Sequence, residues 1–194
     1  MELNQRSGAH ESLCLEEIDH MKKGLQQIIG YVVGGSILLL IIPYGIYSAA
    51  KHFDPILGIE LLKIEQLRIT LACVLFLIGF IFGIWSIVIQ NTIGKGGPVQ
   101  VANIEISPKT QNLVVSGPYK YTRNPMLFGA CLMYFAFAVY LNSIIAVIIA
   151  VLFMIFMLVF VKLSEEKRLL KDFGKSYQEY RGKVSMFIPW IPKK

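Results

Sequence analysis

Four long apolar runs, at about 25–48, 67–90, 125–141 and 144–163, most constrain what this chain can fold into. About 20 apolar residues carry a helix across a bilayer, and within hydrocarbon each spanning segment must satisfy its own backbone hydrogen bonds. The runs predict an all-α integral membrane protein with about four transmembrane helices. Composition agrees: 55% of the residues are hydrophobic and only 16% charged, against about a quarter charged in an ordinary soluble domain.

The net charge of +6 is explained by residues flanking the spans. No basic run with interleaved aromatics offers a groove for nucleic acid. Cys14, Cys73 and Cys131 are far apart, and His10, His20 and His52 lack ligand spacing, so neither a disulfide framework nor a metal site is expected. The first residues are polar and partly acidic, unlike a cleavable signal peptide.

The chain divides into a polar head (1–24), a two-span scaffold (25–90) and a region carrying the chemistry (91–194). A short amphipathic helix is expected around 13–25. In span one, Gly30, Gly34 and Gly35 suit close helix packing, and Pro43 is expected to kink the outer third. Residues 49–66 read as a connection along the interface. Span two carries Gly79 and Gly83, a second small-residue pair for helix packing, with homodimer contact as a weaker reading. The glycines at 94–98 lack the strand, the Lys-Ser/Thr ending and the helix of a phosphate loop.

The stretch 111–127, QNLVVSGPYKYTRNPML, is polar and feeds directly into span three. Ser116-Gly117-Pro118 signals a turn, Tyr119 and Tyr121 flank Lys120 near Arg123, and Asn124-Pro125 reads as an N-cap with proline at the first helical position. The helix start then aims N–H groups and a positive dipole end at the loop, which suits an anionic group. A capped membrane helix with an aromatic, basic flank is the plainer reading.

Asn142-Ser143 allows only a tight antiparallel hairpin between spans three and four. The hairpin returns the chain to the face where span three began, bringing Glu165 and Glu166 near the depth of Arg123 and Asn124. Two readings are open for the pair: a solvated helix end supported by Lys162 or Arg168, or a carboxylate facing a pocket beneath the 111–127 loop, ready for an ammonium group. The helix is expected to stop at Gly174, with a short amphipathic piece over 176–181 and an apolar, proline-broken tail at 188–192 suited to the interface. Basic residues in the 91–125 loop and the tail predict that both termini and the loop share the cytoplasmic side.

GPYKYTRNPMLFG (117–129), then the hairpin, then EEKRLLKDFGKSYQEYRGKVSMFIP (165–189), resembles the isoprenylcysteine carboxyl methyltransferase and phospholipid methyltransferase superfamily of integral-membrane enzymes. The resemblance covers about 111–189. It implies methyl transfer from S-adenosyl-L-methionine to a lipophilic acceptor that enters from the bilayer, with membrane lipids as surroundings. It implies that Gln111, Asn112, Leu113, Val114, Tyr119, Tyr121, Asn124, Pro125, Met126, Leu127 and Glu165 hold the cofactor. Arg123 and the N-terminus of span three suit the cofactor's carboxylate, Glu165 its ammonium, and a tyrosine ring face its sulfonium. For an amine acceptor, Glu166 is the candidate proton acceptor beside Arg123.

Asn124 stands where the carboxyl methyltransferases commonly have histidine, Leu127 where they have tyrosine, and Val161 where they place a substrate-contacting arginine. A phospholipid amine or another small lipophile is therefore at least as suitable an acceptor as a prenylcysteine carboxylate. Two other readings are an NADPH-dependent membrane reductase of the sterol reductase type, which shares an Arg-His-Pro pattern, and a non-catalytic membrane scaffold.

Overall fold

The computed structural model describes residues 21–22, 24–26, 28–30, 32–94, 100–101, 104–105 and 110–192. Residues 1–20 of the polar head, all but the end of the helix expected at 13–25, and the glycine stretch at 95–97 lie outside them. Helix α1 runs Gly24–Leu57, α2 Glu65–Ile89, α3 Pro125–Leu141, α4 Ile144–Phe160 and α5 Glu166–Lys183. Three helical stretches, Gly24–Leu57, Glu65–Gly94 and Ile144–Lys183, are long and apolar enough to cross a membrane; α3 is apolar but has 17 residues. A two-residue antiparallel ladder pairs Gln100–Val101 with Ile104–Glu105.

Helix α1 corrects one expectation. It does not end near residue 48: it runs on through Pro55 to Gly58, whose left-handed conformation (φ 60°) ends it, so only 58–64 connect it to α2. Pro43 is accommodated by a π turn over Ile37–Ile41. Proline's ring collides with the carbonyl four residues back, and widening the preceding turn relieves that collision. Ile42 N–H then bonds Ile37 O, and the released Leu38 carbonyl accepts the Tyr134 hydroxyl at 2.8 Å. Tyr134 packs edge-on against Phe153 and joins a buried cluster with Ile46, Ala50, Ala138, Ala146 and Ala150. That cluster ties α1 to the α3–α4 hairpin.

Helices α2 and α3 cross at glycine. A Cβ on Gly79 would lie 2.6 Å from Gly129 O, and one on Gly129 would lie 2.5 Å from Gly79 O and 2.9 Å from Gly83 N. At Gly79 the small-residue face of α2 is thus filled within the chain by α3. On the far end, the hairpin turns at Asn142 (φ 56°), Ser143 caps α4 through Ala146 N–H, and Asn142 Oδ1 accepts Leu62 N–H at 2.9 Å. The 58–64 connection is therefore fastened to the hairpin tip, opposite the end where loop 110–124 lies.

From Ile144 to Lys183 the helix is continuous but for a break at Gly174 (φ 50°, ψ −122°). Forty helical residues extend about 60 Å, twice the hydrocarbon thickness. The span is its apolar part, 144–163; the charged α5 lies beyond the membrane. As expected, the first helical piece stops at Gly174, and a second follows to Lys183 across the kink.

Candidate active site

The loop after α2 is docked by its backbone and by glycine. Gly94 O accepts Gln111 and Asn112 N–H, and Asn112 Nδ2 donates to Ile93 O at 3.0 Å. Gly117 takes φ 60°, and a Cβ there would meet Ile89 at 2.9 Å and Trp85 at 3.2 Å, so the turn sits flush on α2. A 3-10 turn over Gly117–Lys120 follows and delivers the chain to α3.

The C-terminal segment holds the next residues. Arg123 N–H donates to Ser185 O at 2.8 Å, the buried Thr122 hydroxyl to Phe187 O at 2.8 Å, and Asn124 Nδ2 to Met186 O at 2.8 Å. Tyr180 Oη donates to Tyr119 O at 2.6 Å. Asn124 occupies the N-cap position, but its side chain makes no capping bond and is spent on this tether instead. The first turn of α3 thus keeps its N–H groups free of a side-chain cap.

Between these elements lies a cavity of about 240 Å³. Leu113, Val114, Tyr119, Arg123, Asn124, Pro125, Met126, Leu127, Glu165 and Glu166 all line it. Leu38, Ala130, Phe153, Met157 and Val161 form its wall on the membrane side. Gln111 and Asn112 do not line it; they are exposed and serve to dock the loop. Tyr121 lies elsewhere too, beside Phe82, Trp85 and Trp190 on an outer aromatic surface, its carbonyl accepting Trp190 N–H.

Arg123 and Glu166 face each other. Arg123 Nη1 is 2.5 Å from Glu166 Oε1, and Arg181 Nε is 3.5 Å from Oε2. The Glu166 side chain is only 5% exposed and that of Arg123 10%. Arg123 Nη1 also lies 3.4 Å from Tyr177 Oη, while its buried Nε has no hydrogen-bond partner among the described residues. Glu165 has a different environment. Crowding by protein raises its carboxyl above the ordinary value, with Arg168 opposing the rise. Burial likewise raises the phenols of Tyr177 and Tyr180, in each case the largest cause.

Adjacent glutamates reach one cavity because Val161–Glu165 is a π turn, in which Glu166 N–H bonds Val161 O. The wider turn shifts the register, and such turns cluster at functional sites. Gln90, Thr110, Arg168, Tyr177 and Tyr180 also line the cavity and were not singled out in the sequence as site residues. Tyr177 and Tyr180 fall in the repeated Tyr-x-x-Tyr of the second motif, which is the signal that points to them. Gln90 sits at the polar end of an apolar span, where nothing in the local pattern separates it from an ordinary helix terminus.

No curated protein and no solved structure matches the chain. The family model for phospholipid methyltransferase matches residues 67–176, more than half of the 194 residues and nearly all of the cavity wall. On that match the chain belongs to the phospholipid methyltransferase family, and it is a membrane methyltransferase.

Proposed function

We propose that the methyl donor is S-adenosyl-L-methionine and that it occupies the 240 Å³ cavity. One observation carries this: the cavity is lined by the Arg123 guanidinium, an uncapped helix N-terminus and a separate carboxylate, Glu165. A zwitterionic amino-acid group needs that set. Its carboxylate suits the Arg123 guanidinium and the Met126 and Leu127 amides, and its ammonium suits Glu165. When bound, the cofactor supplies an activated methyl group on a sulfonium.

The chain's own part is positioning and water exclusion. Leu38, Phe153, Met157 and Val161 present an apolar wall toward the bilayer, which fits a lipophilic acceptor arriving from the membrane. Holding donor and acceptor in line accounts for most of what such a transfer requires. Glu166, engaged by Arg123 and Arg181, keeps the guanidinium in place rather than taking a proton. We place this end of the molecule on the cytoplasmic side, from the basic residues of the loop and α5.

The test is calorimetric titration of the detergent-purified protein with S-adenosylhomocysteine and, separately, with NADPH. Saturable binding of the first, lost in Glu165→Ala, is expected. Binding of NADPH alone would replace this reading with a reductase; binding of neither by folded protein would remove the cofactor from the cavity.

A further inference from the structure

A neutral polar pair lies in the same cavity as the charged groups and has no place in the account above. Gln90, on the π turn that ends α2, donates from Nε2 to Thr110 Oγ1 at 2.9 Å. Both side chains are half-buried and line the cavity together with Leu113 and Val114. Their positions are coupled by Gly94, where a Cβ would meet Val114 at 3.1 Å, Thr110 at 3.3 Å and Gln90 at 3.4 Å. With little space for a side chain at 94, the helix end and the loop lie close to one another and hold the pair in register.

The bond fixes which groups are presented. With one Nε2 hydrogen on Thr110, Gln90 has its carbonyl Oε1 left as an acceptor; because Thr110 Oγ1 is accepting, its own proton is available for donation. The result is one acceptor beside one donor, uncharged, flanked by two aliphatic side chains. A phosphate, an ammonium or a carboxylate would leave such a pair without charge compensation. The edge of a 6-aminopurine, with an amino donor next to a ring-nitrogen acceptor, matches it atom for atom, and Leu113 and Val114 supply apolar surface for the ring.

We infer that Gln90 and Thr110 form the base-reading end of the cavity, Oε1 accepting from the purine 6-amino group and the Thr110 hydroxyl donating to the adjacent ring nitrogen N1. The inference rests on the cofactor reading above. It adds that the cavity selects adenine and that the selecting residues come from the end of span two.

The experiment measures affinities of the full chain for S-adenosylhomocysteine and for its 6-oxo analogue, S-inosylhomocysteine, whose purine edge reverses both hydrogen bonds. Wild type is expected to favour the 6-amino compound by about tenfold or more, the worth of two neutral hydrogen bonds. In Gln90→Ala that ratio is expected to fall to within about twofold; Thr110→Val, which keeps volume, is expected to lower it as well, and Thr110→Ser to preserve it. Wild type that binds S-adenosylhomocysteine while the variants keep the full ratio overturns this assignment alone. Wild type that binds neither compound overturns the cofactor reading and this one with it.

Discussion

Arg123 Nη1 stands 2.5 Å from Glu166 Oε1, across 43 residues of chain that run out and back as the α3–α4 hairpin. The pair closes the α3–α4 hairpin at its open end, as Asn142 and Ser143 close it at the tip. Removing one member leaves a buried charge behind, which costs about 3 kcal/mol or more. Arg123→Leu and Glu166→Leu are each expected to lower the melting temperature in detergent, and the double variant to lose clearly less than the two losses added. Strict additivity would show that the two charges do not interact.

The two glycines of α2 are expected to respond differently. A methyl on Gly79 meets the backbone of α3 at 2.6 Å, whereas one on Gly83 meets nothing within 4 Å. Gly79→Ala should cost about 1–3 kcal/mol through forced separation of the helices, and Gly83→Ala should be close to neutral. Thermal unfolding of the two variants side by side checks this. Equal losses would mean that the α2–α3 crossing is not as described.

Tyr134→Phe isolates the hydroxyl that meets Leu38 O. The carbonyl was released from the helix ladder by the π turn before Pro43, and it lies in apolar surroundings. Losing its one donor is expected to cost about 1–3 kcal/mol, the penalty of an unsatisfied buried acceptor. Adding Pro43→Ala should recover part of the loss by letting the ladder re-form. A single variant with unchanged melting temperature would rule out the role given to this bond.

Glu165 has a pH signature with a definite sign. Its carboxyl is raised by burial from 4.5, so the folded chain binds that proton more tightly than the unfolded chain does. Ligand-free stability therefore falls as pH rises from about the unfolded value through the folded one. Glu165→Gln removes this loss. At pH 7.5 it should melt above wild type, and the difference should close below the ordinary carboxyl value. The same variant should bind S-adenosylhomocysteine more weakly. A variant that melts below wild type at pH 7.5 would show that the carboxylate is stabilised by a partner in the free protein.

Local chemistry made much of the fold legible in advance. Helix α3 begins at Pro125 and ends at Leu141 because proline starts it and Asn142 takes the left-handed turn. The two-residue connection leaves the hairpin no other geometry. Gly58 and Gly174 mark a helix end and a kink because both adopt positive φ. Where reading residue by residue failed, the cause was a compensation between distant segments. At Pro43 a π turn takes up the strain, and Tyr134, 96 residues away, satisfies the freed carbonyl, a compensation the local sequence does not show.

The same division holds at the cavity. Arg123, Asn124 and the two glutamates are legible because motif spacing and the hairpin bring them to one membrane face. Their division of labour is not, since consecutive glutamates have the same composition and nearly the same position. Only packing decides that Glu166 meets Arg123 and Arg181 while Glu165 faces the cavity, and that Asn124 tethers the tail instead of capping its helix. By itself, then, the sequence determined the spans, the hairpin and the face on which the polar groups gather, because apolar length and turn chemistry act locally. The tertiary structure alone decided which partner each polar side chain takes and brought Gln90 and Thr110 to the same cavity, because those choices depend on contacts between segments far apart in the chain.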